Sequence, residues 1–252
     1  MSTVLMPLPQ RDVDPTETGV PWRVLRERGH RVIFATPDGT PGEADPRMVT
    51  GQGLGVFAPL LKADRHGRGA YRAMTESAEF RRPMLYDDIR VGEFDAIVLP
   101  GGHAKGMRPY LESERLHAAV SGFFRRRKVV AAICHGVLLA ARAQNEAGQS
   151  VLHGRKTTGL TKHMELGAWA LTCLYLGDYY RTYPLTVEAE VRGRLARPED
   201  FIAGPLSLAR DAPQRLDAGF TVSDGNYLSA RWPGDAHRFA NDLAAMLERP
   251  AA

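Results

Sequence analysis

The chain lacks several features, and each absence excludes a class of protein. Two cysteines, Cys134 and Cys173, stand among 252 residues, too few for the disulfide framework of a small secreted domain. No stretch approaches the ~18 consecutive apolar residues of a membrane span. The opening segment MSTVLMPLPQ has neither the basic start nor the long apolar centre of a secretion signal. We therefore expect a cytoplasmic protein with no membrane partner.

Positive charge is present but is not arranged for nucleic acid. The formal net charge is +4, and the densest basic cluster is Arg125–Lys128. That cluster ends a predicted helix, where cations are favourable at the negative end of the helix dipole. No aromatic residues alternate with it to form a platform on which bases would stack. We expect no nucleic-acid partner.

Segments typical of strands alternate with segments typical of helices in the first 142 residues. Such alternation predicts a mostly parallel sheet flanked by helices on both faces, with a site at the carboxyl edge of the strands. The predicted strands are Thr3–Met6, Arg31–Ala35, Phe94–Leu99 and Val129–Ile133, and the predicted helices are Glu17–Arg28, Leu111–Arg126 and Val137–Arg142.

The remaining segments predict one domain over residues 1–252 with an insertion at about 160–215. Residues 51–69 are rich in glycine and favour a loop before a short helix over 70–80. The insertion begins with a predicted helix, Thr161–Leu176, on which Cys173 is expected to be a packing residue. Strands at 220–222 and 227–230 and a closing helix to Leu247 return to the sheet.

Cys134 is the most informative residue of the chain. The apolar run that precedes it ends in Cys134-His135-Gly136, and a helix follows at once. A sharp strand-to-helix turn presents its central side chain above the edge of the sheet, and the helix N-terminus lowers the pKa of a thiol placed there. We interpret Cys134 as a nucleophile, and the alternative is a small buried packing residue.

A second turn and a carboxylate accompany this thiol. Gly101 and Gly102 follow the strand that ends at Leu99, and a glycine pair there allows the backbone to approach a ligand closely. Glu17 and Thr16 stand at the start of the first predicted helix. A threonine cap and a first-turn carboxylate are expected there on capping grounds alone.

Four segments, in order, resemble the ThiJ/PfpI superfamily within the class I glutamine amidotransferase-like fold. VDPTETGVPWRVLRERGHRVIFAT is similar to its opening segment, DAIVLPGGHA to its glycine turn, AAICHGVLLAA to its nucleophile elbow, and DGNYLSARWPGDAHRFA to its closing strand and helix. The Cys-His-Gly form and the long insertion resemble the glyoxalase III and chaperone branch most. The resemblance implies a flavodoxin-like three-layer α/β/α sandwich with an inserted cap, and a homodimer.

The resemblance also implies roles for residues around the thiol. It assigns Glu17 to the carboxyl group that contacts Cys134, against the alternative of helix-start electrostatics. His135 would act as a general base through the substrate or after reorientation. The backbone N–H groups of His135 and Gly102 would form an oxyanion hole.

Three further assignments stay open at this point. A carboxylate commonly orients a catalytic histidine, and the resemblance places Glu165 there, although the branch usually has aspartate; otherwise Glu165 is an ordinary helix residue. His103 either binds substrate or packs at the glycine turn. No pair of His and Cys or Glu residues has zinc-site spacing, so we expect neither a metal nor another cofactor.

Three functions compete for this set of residues. The resemblance favours a cofactor-independent enzyme on small reactive carbonyls, which converts methylglyoxal to D-lactate through a hemithioacetal on Cys134. The second candidate is a hydrolase or hydratase of a C–N bond, such as a peptidase, an amidase or an isonitrile hydratase. The third is a stress chaperone or an oxidation sensor in which Cys134 cycles through its oxidised acids.

Overall fold

The structure is a computed structural model, and it describes residues 1–249. It contains seven strands: β1 Thr3–Pro7, β2 Arg31–Thr36, β3 Met84–Leu85, β4 Ala96–Leu99, β5 Val129–Ile133, β6 Thr221–Asp224 and β7 Tyr227–Ala230. They form one sheet in the order β3-β2-β1-β4-β5-β7-β6. All neighbouring pairs are parallel except β6 and β7, which form a hairpin around Gly225.

Eleven helices accompany the sheet within residues 1–249. They are α1 Pro15–Glu27, α2 Pro46–Thr50, α3 Ala58–Leu61, α4 Arg65–Thr75, α5 Ala78–Arg81, α6 Arg108–Leu111, α7 Glu114–Arg125, α8 Val137–Arg142, α9 Lys162–Leu176, α10 Val187–Arg192 and α11 Ala236–Leu247. One outer layer groups α1, α4 and α11, and the other groups α7, α8 and α10. The predicted flavodoxin-like three-layer fold is confirmed. None of these helices is both long and apolar enough to cross a membrane.

The two central strands β4 and β5 fix the location of the candidate site. Every residue of β4 is buried, as are the last four of β5, because helices cover both faces of a parallel sheet. Leu99 pairs with Ala132 at the carboxyl ends of the two strands. The glycine turn that follows β4 therefore lies beside the cysteine turn that follows β5.

The first turn of α1 is fixed by Asp14, not by Thr16. The Asp14 Oδ1 atom accepts hydrogen bonds from the backbone N–H groups of Thr16 at 2.7 Å and Glu17 at 3.1 Å. Pro15 occupies the first helical position, where its missing N–H costs nothing. The predicted threonine cap is wrong, and the aspartate cap sets Glu17 at a fixed place in the first turn.

The sequence predicts a loop for the glycine-rich segment 51–69, and the structure shows that this prediction is wrong. The segment contains α3 and the start of α4, whose N-cap Asp64 accepts from the Gly67 N–H at 2.8 Å. Gly67 allows α4 to pack closely on α1, since a Cβ at this position would lie 2.4 Å from Thr16 Oγ1. The predicted helix over 70–80 is divided, because Ser77 caps a separate α5.

The segment between α8 and β6 carries α9, α10 and long irregular stretches. Thr161 stands just before α9, and Cys173 on this helix is half-buried. The apolar side chains of α9 face in several directions, and Leu174 is 98% exposed. The division of the chain into one domain with an insertion stays a prediction.

Alanine at two helical glycines should change stability in opposite directions. A Cβ on Gly19 of α1 would lie 2.5 Å from the backbone nitrogen of Tyr71 in α4, whereas one on Gly167 of α9 would meet no atom within 4 Å. We expect Gly19→Ala to lower the free energy of unfolding by about 1–3 kcal/mol through overpacking. Gly167→Ala should raise it by about 0.5–1 kcal/mol through helix propensity. Urea unfolding measures both, and equal shifts would contradict the close packing of α1 and α4.

Candidate active site

Cys134 lies on a strained turn between β5 and α8. Its φ of 58° is in the left-handed region, which costs a non-glycine residue of the order of 1–3 kcal/mol and is common at functional sites. The turn is a single 3-10 segment, Cys134–Gly136. It needs glycine at its third position, because a Cβ on Gly136 would lie 2.0 Å from the Leu99 carbonyl oxygen. The strand, turn and helix that the sequence predicts are all present.

Glu17 meets this thiol across the glycine turn. Its Oε2 atom accepts the Gly101 N–H at 2.7 Å, and the Cys134 side chain lies against the same glycine. A Cβ on Gly101 would lie 2.8 Å from Glu17 Oε2 and 3.0 Å from Cys134 Cβ. Glycine is therefore required for α1, β4 and β5 to converge here. Glu17 and Cys134 thus lie on either side of one glycine, and a direct contact between the carboxyl group and the thiol stays a prediction.

Burial determines the protonation of this pair. Burial, reinforced by Asp14, raises the pKa of Glu17 well above its usual value. Burial followed by Glu17 also raises the pKa of Cys134 well above that of a free thiol, so the lowering expected from the helix N-terminus is wrong. Asp14 is buried beside them, and its pKa is raised to about 6. Two adjacent negative charges without water are unfavourable, so Glu17 and Cys134 hold at least one proton between them at neutral pH.

His135 contacts the thiol directly, although the sequence left this contact open. Its Nδ1 atom lies 3.5 Å from Cys134 Sγ. Its Nε2 atom lies 3.0 Å from Thr182 Oγ1, and that hydroxyl donates to the His103 carbonyl oxygen. Since the Thr182 proton is used there, Thr182 Oγ1 accepts from the His135 Nε2–H. The Nδ1 atom is then unprotonated and faces the thiol as an acceptor.

Thr182 is a residue that the sequence analysis does not find. It is fully buried, and the Arg108 guanidinium donates to its carbonyl oxygen at 2.9 and 2.6 Å. Burial lowers the pKa of His135 to about 3, so the imidazole that Thr182 orients is neutral. A contact between residues 47 positions apart leaves no local signal in the sequence.

Glu165 does not orient His135. Its Oε2 atom accepts the Val187 N–H at 2.9 Å, and its Oε1 atom lies 3.5 Å from the Arg181 guanidinium. These contacts fix α9 to the start of α10, and the residue that bonds His135 is Thr182. The prediction that Glu165 completes a triad with Cys134 and His135 is therefore wrong. Burial raises its pKa to about 7, and the residue does line the cavity in front of the thiol.

His103 packs beside the glycine turn. Its ring stacks on Tyr180 with a centroid distance of 4.2 Å and meets the edge of Tyr179 at 4.9 Å. Burial lowers the pKa of His103 to about 4, so the ring is neutral. Position 102 also requires glycine, because a Cβ there would lie 2.4 Å from the Asp12 carbonyl oxygen.

The thiol opens into a cavity of about 330 Å³. Glu17, Gly102, His103 and Cys134 form its base, and α9 and the segment before β6 form its walls. Across residues 1–249, no group of three or more His, Cys, Asp or Glu side chains is arranged to hold a metal ion. The oxyanion hole at the N–H groups of Gly102 and His135 stays a prediction.

A parallel α/β sandwich with a thiol on a strand-to-helix turn defines a class of nucleophile-elbow proteins. A model of the ThiJ/PfpI family-like group matches residues 8–205, and the chain belongs to the ThiJ/PfpI family. The predicted resemblance to this family is confirmed, and the matched residues include the first three of the four segments.

Individual relatives are distant. The chain is 24% identical over 241 residues to Deglycase PfpI of Pyrococcus furiosus, which is 96% of this chain and 97% of that protein. It is 26% identical over 144 residues to an uncharacterized protein of Schizosaccharomyces pombe, and it spans 52% of that relative. The crystal structure of glyoxalase III from Candida albicans has a TM-score of 0.69 at 20% identity, covering 97% of this chain and 96% of that one. This last likeness shows the fold.

The shared proton of Glu17 and Cys134 should be visible in the reactivity of the thiol. We expect the rate of Cys134 alkylation by iodoacetamide to rise in two steps with pH in the wild type. The first step releases one proton from the pair, and the second forms the thiolate beside a carboxylate. In Glu17→Gln, one step should remain, and it should end at lower pH because the carboxylate charge is gone. Quantitative peptide mass spectrometry measures the rates.

Cys173 supplies the control within the same protein, because it lies on α9 and does not line the cavity in front of Cys134. Its alkylation profile should be the same in the wild type and the variant. Identical single-step profiles for Cys134 in both proteins would contradict the coupling.

Proposed function

We propose that the protein is a cofactor-independent cysteine enzyme that acts on small reactive carbonyls, in the manner of glyoxalase III. The observation that supports this proposal is that Glu17 and a neutral His135 are buried together with the Cys134 thiol. Thiol addition to an aldehyde needs a nucleophile, a base for its proton and a second acid–base group. These three residues supply that set.

The reaction with methylglyoxal needs no external oxidant. Cys134 Sγ adds to the aldehyde carbon, and the thiol proton goes to His135 Nδ1, while the new hydroxyl of the hemithioacetal takes a proton from Glu17. The Glu17 carboxylate then takes the proton of that carbon, while the protonated His135 gives its proton to the neighbouring carbonyl oxygen, which forms an enediol. Glu17 returns its proton to the neighbouring carbon, and the hydroxyl on the sulfur-bearing carbon passes its proton through His135 back to Glu17 as the thioester carbonyl forms. This gives a lactoyl thioester, because one carbon is oxidised as its neighbour is reduced. Water hydrolyses the thioester, which releases lactate and restores the thiol.

The comparisons support carbonyl chemistry at a coarser level. One relative along nearly the whole chain is named a deglycase, and one structural neighbour is named glyoxalase III. Deglycation, the removal of a carbonyl adduct from a thiol or an amine, is therefore the second candidate function. Both reactions place a carbonyl-derived carbon at the same thiol, so the site is compatible with either. A cytoplasmic homodimer remains part of the proposal.

Methylglyoxal turnover tests the first function. We expect reduced wild-type protein to form D-lactate from methylglyoxal, Cys134→Ser to lose at least 99% of that activity because serine is a far weaker nucleophile, and Cys173→Ser to retain it. An enzymatic D-lactate assay on the quenched reaction gives the rates.

The outcomes separate the candidates. A rate that follows the concentration of the methylglyoxal–thiol hemithioacetal and not that of free methylglyoxal favours deglycation. No lactate above the Cys134→Ser background from either form overturns both proposals.

Thr182 and Glu165 should differ in their effect on turnover. Thr182→Val removes the hydroxyl that fixes the His135 tautomer, and we expect kcat to fall about tenfold, the value of one hydrogen bond of ~1.4 kcal/mol. Thr182→Ser should restore most of this loss. Glu165→Gln keeps an acceptor for the Val187 N–H and should change kcat less than twofold.

A matched control for Thr182→Val lies on α9. The buried Thr172 hydroxyl donates to the Ala168 carbonyl at 2.8 Å and does not line the cavity, so Thr172→Val should leave kcat unchanged. If Glu165→Gln lowers kcat as far as Thr182→Val does, the assignment of Thr182 as the positioning residue fails.

A further inference from the structure

The walls of the cavity in front of Cys134 are apolar on several sides. They come from three separate parts of the chain, namely the α2 to α3 segment, the start of α9 with the residues before it, and the segments that flank β6 and β7. Six of the side chains are Met48, Leu61, Leu160, Met164, Leu206 and Trp232. Three segments distant in sequence thus place aliphatic or aromatic groups around one space.

The cavity is larger than a three-carbon substrate needs. Its volume of about 330 Å³ lies within the range of ~300–1,000 Å³ in which proteins hold drug-sized ligands. Methylglyoxal has five heavy atoms and one methyl group, so it would leave most of the apolar wall without a partner. An apolar wall next to an unoccupied space gains binding energy only from a longer chain.

The polar groups of the cavity disfavour an anionic ligand. Asp14, Glu17 and Glu165 all line it. The cation among the lining residues, Arg210, donates to the backbone carbonyl oxygens of Leu60 at 3.1 Å and Lys62 at 3.3 Å, and its guanidinium lies over Trp232. The guanidinium therefore already binds groups of the cavity wall, and no other arginine or lysine among the described lining residues would pair with a carboxylate ligand.

Two buried donors on residues that line the cavity have no hydrogen-bond partner within residues 1–249, namely the Tyr180 hydroxyl and the Trp232 Nε1–H. The Tyr180 hydroxyl makes no hydrogen bond within residues 1–249, and Tyr180 is 6% exposed. Burial and the Asp45 carboxylate raise its pKa, so the phenol keeps its proton. Its ring stacks on His103, next to the glycine turn. A buried phenol without a partner is unfavourable, and an oxygen atom of a ligand would satisfy it.

We propose that this cavity binds a neutral carbonyl compound with an apolar chain, whose reacting carbon lies at Cys134 and whose second oxygen accepts from Tyr180. This inference deepens the proposed function, since it names the substrate class of the same thiol. Selectivity then comes from the apolar wall, and the chemistry comes from Glu17, Cys134 and His135.

Alkylation by N-alkyl iodoacetamides tests the cavity without requiring turnover. With N-methyl, N-butyl and N-hexyl reagents at one fixed pH, we expect the second-order rate at Cys134 to rise about threefold to fourfold per added methylene that enters the cavity. The rate at Cys173 in the same sample should stay nearly constant. If the ratio of the alkylation rate at Cys134 to that at Cys173 stays constant or falls with chain length, the inference is overturned.

Two leucines of α9 give a matched pair of variants. Leu171 lines the cavity and is 41% exposed, whereas Leu174 is 98% exposed and lies outside it. Leu171→Gln should reduce the preference of Cys134 for the hexyl over the methyl reagent by about threefold, and Leu174→Gln should leave it unchanged. Equal effects of the two variants would mean that the preference arises elsewhere on α9.

A series of 2-oxoaldehydes with lengthening alkyl chains separates this inference from the proposed function. If kcat/KM rises with chain length and Tyr180→Phe lowers it about tenfold at each length, both stand. If methylglyoxal is turned over and longer chains are no better, the cavity inference fails and the proposed function stands. If no aldehyde is turned over but the alkylation preference persists, the carbonyl chemistry fails and the apolar selectivity stands.

Discussion

The hydrogen bond from the Gly101 N–H to Glu17 Oε2 is the contact on which the site depends. It joins the first turn of α1 to the turn after β4, and the same glycine lies against Cys134 after β5. Any side chain at position 101 would separate these three elements. A buried carboxyl group that is held in this way stays beside the thiol and sets its protonation. The fold thus brings two acidic groups together where water does not screen them.

Local patterns in the sequence are sufficient to predict the sheet and the turn that carries the thiol. The apolar runs of β4 and β5 are short, bounded and followed by Gly101 and Cys134, so both the fold and the nature of the turn were predictable. The sequence predicts a loop over 51–69 because the packing role of Gly67 depends on α1, which is distant in sequence. The N-cap was assigned to Thr16 because two capping residues stand only two positions apart.

No local pattern in the sequence predicts which residue bonds His135. Glu165 has the residue type expected of an orienting acid, but Val187 and Arg181 already occupy its two oxygens. Thr182 lies in an irregular segment that the sequence characterises only by its aromatic residues, and Arg108 at the start of α6 donates to its carbonyl oxygen. Such a contact depends on how two loops pack, and spacing along the chain does not encode it.

The burial of the thiol has a chemical consequence that links the base to the cavity. With the pKa of Cys134 raised, little thiolate exists before the substrate binds, so loss of the proton must accompany bond formation. A neutral imidazole 3.5 Å from Sγ suits this concerted step better than an imidazolium, and Thr182 fixes the tautomer that it requires. The same apolar surroundings that disfavour the free thiolate favour a neutral substrate. The raised pKa of the thiol and the selectivity that we propose for the cavity therefore have one physical origin.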